Sequence, residues 1–368
     1  MPNDLTPWID LSWNERQILS LVRRRGPLPR AALAQTTGLS PQAITNLTRN
    51  LIRNGFLDAG AVVRGKVGQP STPLSLAPDG AQFLGLKIGR RLVELALVDF
   101  VGRVKIHRQE IYGHPTPDRV LTFARNGIAT ILGSLPPDAR IAGLGVATPF
   151  RLWDWGSEMA GWHGFDLAGR LAEDLPFPVF LENDASTACA AELIFGRSAL
   201  PRDFVHLYVA HFAGGGVVLD GRLRVGPRRN AGALGSMPIP GGRQLLDCAS
   251  VSTLEARLGR SLPPDDSGWQ VPPDTEGRWI AEAGDALAFV ALSAVALLDI
   301  PVVVIDGAIP RPTRAALVEA TRAAMARLPA AGIDRPEIIE GSLARSARIL
   351  GAAALPLAHF FEPGGALT

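Results

Sequence analysis

The chain has 368 residues, 47% of them hydrophobic and 20% charged, with a formal net charge of +2. This length exceeds one ordinary core and predicts two or three compact units, while the composition is that of a globular and not a disordered chain. Only Cys189 and Cys248 are present. They exclude a disulfide framework and a cysteine-rich zinc site, and they read as inert core thiols. Met1 to Trp13 lacks the basic and then apolar progression of a secretory leader. The longest apolar run, Ala286 to Leu298, falls short of the roughly 18 residues of a membrane span and reads as a buried helix. The expectation is a cytoplasmic protein without a membrane partner.

Charge is unevenly divided. Residues 1–78 hold nine basic and four acidic residues, whereas the remainder holds 28 basic and 31 acidic. A small basic region on a mildly acidic body is the layout expected when one end meets nucleic acid.

Taken in chain order, Asn14 to Arg25 has apolar residues at helical spacing and stops at Gly26-Pro27. Pro29 to Thr37 gives a second helix, ended by Gly38, which suits a left-handed turn. Ser40 caps a third helix that opens on Pro41 and runs to about Asn54. Ile44, Leu47, Leu51 and Ile52 form its apolar stripe. Gln42, Thr45, Asn46, Arg49 and Arg53 lie off that stripe, with the amide and guanidinium groups that make paired hydrogen bonds to purine edges. Asp58 to Pro73 alternates valines with glycines as a two-stranded wing, carrying Arg64 and Lys66 towards phosphate or minor groove. Helix, helix, turn, helix and wing make a winged helix-turn-helix. The expected DNA contacts are Ser40, Gln42, Thr45, Asn46, Arg49, Arg64 and Lys66, with Thr45, Asn46 and Arg49 foremost. Arg53 equally suits the terminal carbonyls of its own helix.

Beyond a boundary near Leu76-Ala77-Pro78, apolar strands at Phe83 to Ile88, Leu92 to Val98, Val179 to Leu181, Phe204 to Ala210 and Val302 to Ile305 alternate with helical stretches. This is the pattern of layered α/β structure. The six histidines show no ligand spacing and read as ordinary surface or core residues.

Several segments together carry a family likeness: "LAQTTGLSPQAITNLTRNLIRNGFL", "LGLKIGRRLVELALVDFVGRV", "GWHGFDLAGRLAEDLPFPVFLENDASTACAAELIFG", "HFAGGGVVLDGRLRVG" and "ARILGAAALPLAHFF". In this order they resemble the ROK family of repressors, open reading frames and kinases, from about residue 12 to the last helix. The resemblance implies a winged helix-turn-helix (1–78) followed by a two-lobed, actin-like α/β domain (79–368). Its lobes span about 79–195 plus the C-terminal helix, and 196–345. It also implies a cytoplasmic, carbohydrate-responsive regulator, a homodimer or homotetramer that represses genes through double-stranded operator DNA.

The resemblance further implies which kinase chemistry is missing. The family's first phosphate loop, Asp-x-Gly-x-Thr, stands here as Lys87-Ile88-Gly89-Arg90-Arg91, a cation where a metal-associated carboxylate belongs. The second loop, His211 to Gly216, keeps three glycines behind His211 and Phe212. Glu182-Asn183-Asp184 matches the sugar-contact and general-base motif, leaving Asp184 as the catalytic relic. On the residues alone, Asp184 reads equally as the cap of the following helix. The family's Ala-Gly-Glu-x-Gly-His motif is Ala231-Gly232-Ala233-Leu234-Gly235-Ser236, without the sugar-binding Glu or the zinc-binding His. The cysteine cluster that completes the family's zinc site corresponds to Gly241 to Cys248 and keeps one thiol, so no metal and no cofactor are expected.

The effector candidates are Asn183, Asp184, His163 (beside Trp162) and Asp247, which stands where the family has another sugar-binding Glu. The expectation is a non-enzymatic regulator. The alternatives are a ROK-type sugar kinase with an appended DNA-binding module, or a regulator whose body no longer binds sugar.

Overall fold

The computed structural model describes residues 8–62, 71–196, 200–264 and 268–365. The chain folds as two compact units, one of Met1–Asn183 with Ala352–Ala366 and one built on Asp184–Gly351.

The first unit opens with α1 (Trp13–Arg25), which Ser12 and Glu15 start as a reciprocal capping box. A short strand, β1 (Leu28–Pro29), leads into α2 (Arg30–Thr37), and Gly38 ends that helix in the left-handed region at φ 73°. Ser40 accepts the Ala43 amide at 3.2 Å and so begins α3 (Pro41–Arg53), with Pro41 in the first turn, where its missing amide costs nothing. The wing strands β2 (Leu57–Ala59) and β3 (Pro73–Leu76) pair antiparallel, and β1 adds to the other edge of β3. Arg64 and Lys66 lie outside the described residues.

The same unit continues with β4 (Gln82–Ile88), β5 (Leu92–Asp99), β6 (Val104–Ile111), α4 (Pro117–Ser134), β7 (Ile141–Thr148), α5 (Leu167–Ala172) and β8 (Val179–Asn183). The sheet order is β6-β5-β4-β7-β8, antiparallel across β6, β5 and β4 and parallel from β4 to β8. Leu84, Leu86, Val93, Leu95 and Leu97 bury one face against Val120, Ala124, Ile128 and Ile131 of α4.

The second unit repeats this plan. Its elements are α6 (Asp184–Phe195), β9 (Phe204–Val209), β10 (Gly214–Leu219), β11 (Arg222–Arg224), a small hairpin of β12 (Pro238–Ile239) and β13 (Arg243–Gln244), α7 (Leu246–Ala249), α8 (Val251–Leu258), α9 (Pro273–Leu298), β14 (Val302–Gly307), α10 (Arg311–Arg327) and β15 (Glu337–Glu340). Its sheet order, β11-β10-β9-β14-β15, has the same sequence of antiparallel and parallel pairs as the first sheet. Two lobes of one topology are the actin-like arrangement. The apolar run Ala286 to Leu298 belongs to a longer helix than expected: α9 has 26 residues, enough by length and composition to cross a membrane. Trp279, Ala283, Leu287, Val290 and Ala291 nevertheless bury its inner face in the core of this unit.

The last helix, α11 (Ala347–Phe361), returns the chain to the first unit from Ala352 onward. A Cβ on Gly145 of β7 would lie 1.7 Å from the Ala352 carbonyl oxygen, so only glycine lets this helix lie so close to the strand. At the far end, Phe361 packs edge-on against Phe56, Phe83 and Phe100, at 5.5, 5.8 and 4.8 Å between ring centroids. Phe56 follows α3 and Phe100 follows β5, so this aromatic knot ties the helix-turn-helix to the sheet. Beside it, Glu362 is buried with Arg23, its carboxylate accepting a hydrogen bond from Ser20 at 2.6 Å and facing the guanidinium at 3.7 Å. Burial lowers the Arg23 pKa to about 10 against the pull of Glu362, and its guanidinium stacks 4.7 Å over Phe100.

Candidate functional site

On α3 the buried side is Ile44, Thr48 and Leu51, with Leu47 and Ile52 half-buried. Thr48 was absent from the sequence-based stripe. Its hydroxyl donates to the Ile44 carbonyl at 2.8 Å and accepts Arg30 Nε at 2.8 Å, which lets a polar residue sit in the core. Gln42, Asn46 and Arg49 are exposed at spacings of four and three residues, hence on one face. Among the described residues their side chains take no intramolecular hydrogen bond or ion pair. Thr45 is half-buried and donates its hydroxyl to Pro41 O at 2.8 Å, and Ser40 is occupied as the cap. Arg53 donates to Asn50 Oδ1 at 3.0 Å, which favours the local role over a base contact.

The basic excess of the head needs correction as a footprint for DNA. Arg23 is buried against Glu362, Arg24 reaches the same carboxylate at 3.6 Å, Arg30 is bound to Thr48, and Arg16 contacts the His359 carbonyl at 3.4 Å. These cations hold the head together and to the body. Counting charges along the sequence cannot separate such internal cations from those left in solvent.

In the body, the first loop is a closed hairpin turn. Gly89 N donates to Leu92 O at 2.9 Å, and the Tyr112 hydroxyl donates to Gly89 O at 2.8 Å. Lys87 lies on β4 directly opposite Glu94 of β5, and their charged ends meet at 2.9 Å with both residues buried. His107, from β6, reaches the other oxygen of Glu94 at 3.2 Å. Burial alone would raise the Glu94 pKa, but Lys87 and the His107 hydrogen bond together bring it down to about 2. The same hydrogen bond raises His107 against its own burial.

The second loop belongs to packing. A Cβ on Gly214 would stand 2.7 Å from Ala185 Cβ, and one on Gly216 would stand 2.5 Å from Cys189 Cβ, because α6 lies directly on β10. The Ala213 amide donates to Ser250 Oγ at 2.9 Å in a buried site. Gly232 and Gly235 are required in the same way, by their close approach to Gly216 and Ala213.

Asp184 is the first residue of α6 rather than the residue before it, where a negative side chain meets the positive end of the helix dipole. Its carboxylate faces Arg348 at 3.2 Å, and that guanidinium lies 4.9 Å over the Tyr208 ring. No spacing in the sequence announces this pair. Asn183 is half-buried at the end of β8. His163 is exposed, edge-on to Trp153 at 5.4 Å. Asp247 is exposed at the start of α7 and accepts the Gln244 amide at 2.8 Å. His163 and Asn183 belong to the first unit, Asp184 and Asp247 to the second.

Residues 83–258 match the profile of the ROK family, and residues 14–58 that of a winged helix-turn-helix DNA-binding domain. The chain carries a ROK family domain. That domain sits behind the winged helix-turn-helix. The chain is 26% identical over 369 residues to the uncharacterized protein y4fQ of Sinorhizobium fredii, covering 96% of this chain and 93% of that one. It is 22% identical to the xylose repressor of Caldicellulosiruptor bescii, covering 66% of this chain and 62% of that repressor's length. Among solved structures, a ROK family transcriptional regulator homologous to the Escherichia coli MLC protein shares the fold over 98% of both chains, at a TM-score of 0.68 and 22% identity. The ROK hexokinase of Thermus thermophilus matches 74% of this chain and 96% of its own, at a TM-score of 0.55 and 26% identity. One body fold therefore serves both regulators and kinases, and fold alone does not decide between them.

Proposed function

We propose that this ROK protein is a sequence-specific DNA-binding repressor of carbohydrate-related genes, whose body serves as effector and oligomerisation domain without kinase activity. The observation that carries the reading is the exposed Gln42, Asn46 and Arg49 face of α3, the third helix of a winged helix-turn-helix. Arg64 and Lys66 are the proposed wing contacts, and Ser40 and Thr45 act by setting the start of the helix. The resemblance to a xylose repressor supports a sugar-linked output. A homodimer or homotetramer would read a two-fold symmetric operator.

The absence of turnover is supported by the residues that replace the kinase machinery. Where a magnesium nucleotide needs a carboxylate, Lys87 is neutralised by Glu94, and the Ala213 amide is already spent on Ser250. For the effector, Asp184 and Asn183 are the proposed contacts, with His163 and Asp247 secondary. A sugar hydroxyl would compete with Arg348 for Asp184. Arg348 stands at the start of α11, and Glu362, just beyond its end, is held by the head. An effector that released Arg348 would thereby bias the helix that anchors the head, as differential binding to two states requires. The test measures full-chain binding to DNA flanking its own gene across a panel of sugars, alongside ATP turnover with the same sugars. A sugar that shifts operator affinity without being phosphorylated supports the reading. Sugar-dependent turnover lost in Asp184→Asn would replace it with a kinase.

A further inference from the structure

The second unit holds a group of polar side chains that neither the DNA-binding head nor the kinase relic uses. Glu192 of α6, His206 of β9 and Asp306 of β14 are all buried, and one ligand-capable atom of each lies within 4.8 Å of the others. Glu192 accepts the Ser342 amide at 3.2 Å and the Ser342 hydroxyl at 2.9 Å. Asp306 accepts the Gly307 and Ala344 amides, both at 2.8 Å, and faces Arg314 at 3.5 Å. His206 differs from both: it is wholly inaccessible, and neither ring nitrogen has a hydrogen-bond partner among the described residues.

An imidazole with two unpartnered nitrogens costs several kcal/mol unless something fills the space. The local charge points the same way. Among the described residues, Arg314 is the one cation paired with Asp306 and Glu340, at 3.5 and 2.9 Å, and none pairs with Glu192, so the cluster carries two uncompensated negative charges when its carboxylates are ionised.

We infer that Glu192, His206 and Asp306 form a binding site for a single divalent transition-metal cation inside the second lobe. One imidazole nitrogen and two carboxylate oxygens, without a thiolate, suit Zn2+ or Mn2+. Two donors each about 2.1 Å from one ion stand roughly 3.4 Å apart in tetrahedral geometry, so side chains within 4.8 Å of one another close by at most about 1.4 Å on loading. A dication brings the cluster to neutrality. The ligands come from three elements far apart in sequence, outside the family's cysteine and histidine motif, and the site departs from the metal-free body expected from that motif. Its place between α6 and the parallel strands β9 and β14 gives it a structural role.

The experiment uses the full chain, stripped with a chelator, then loaded with Zn2+ or Mn2+, gel-filtered and analysed for bound metal. One equivalent retained by the wild type, with a melting temperature raised on loading, is the expected result. His206→Asn and Glu192→Gln should each lower affinity at least tenfold and lose the thermal shift, while His114→Ala, outside the cluster, should behave as wild type. Circular dichroism of the isosteric Glu192→Gln variant keeps the test valid should His206→Asn fail to fold. Substoichiometric metal in the wild type, or equal retention by wild type and Glu192→Gln, would overturn the site and leave a buried water or a shared proton in its place.

Discussion

The third helix of the head and the first hairpin of the body both place charged or amide side chains where a ligand would approach, and they use them in opposite ways. On α3, Gln42, Asn46 and Arg49 stand in solvent with no side-chain partner among the described residues. On β4, Lys87 is buried and closed upon Glu94, with His107 completing the group. Polar groups that the fold has already satisfied are part of its architecture. Those that it presents on one helical face and leaves unsatisfied are available to a partner. Residue identity alone does not distinguish the two cases: Arg23 and Arg49 look alike in sequence, and only Arg49 is exposed.

The sharpest way to break this contrast is at the hairpin. Lys87→Met leaves Glu94 buried without its main cation and should cost about 3–5 kcal/mol of stability, measured by chemical denaturation. The double change Lys87→Met with Glu94→Leu should recover most of that loss. If the single variant retained wild-type stability, the pair would be incidental and Lys87 free for a ligand.

Next in size is Gly216→Ala. Its new methyl would crowd Cys189, and the expected loss is about 1–3 kcal/mol by the same measurement. Unchanged stability would return the glycines to a phosphate-binding role.

Acid titration probes the hairpin again. Glu94 is depressed, so its stabilisation is full above its ordinary value of about 4.5 and is lost as pH falls from there towards 2. His107 is raised, so its smaller contribution is present below about 6.5 and fades as pH rises through its elevated value. Melting curves of the double variant should lack the acid-side loss that the wild type shows in that window.

The smallest stability effect is expected from Ser40→Ala, about 1 kcal/mol from loss of the cap. DNA binding should weaken with it only through fraying of the start of α3.

Much of the head was legible because its signals are local. Ser40-Pro41, Gly38 and the apolar spacing each act within one turn, and the three helices fall within a residue or two of their expected bounds. Five strands of the body, β4, β5, β8, β9 and β14, were readable from their apolar runs in the same way. What escaped were contacts across long separations. Arg348 with Asp184, Glu362 with Arg23, and the convergence of Glu192, His206 and Asp306 depend on how elements pack, which no spacing encodes. The Lys87–Glu94 pair lay between these extremes, since hairpin register about Gly89 places them opposite each other. Thr48 was missed because its polarity argued against the buried stripe, and its partner Arg30 lies in another helix.

The central claim is that the exposed face of α3 reads DNA. Full-length protein titrated against fluorescent DNA from the region flanking its own gene, at about 150 mM salt and beside a scrambled duplex, tests it most directly. The account predicts preference for the native duplex. Asn46→Ala and Arg49→Ala should each lose roughly 5- to 150-fold in affinity for it, about 1–3 kcal/mol, with melting temperatures unchanged. Equal binding to both duplexes, or variants that bind as tightly as wild type, would contradict it.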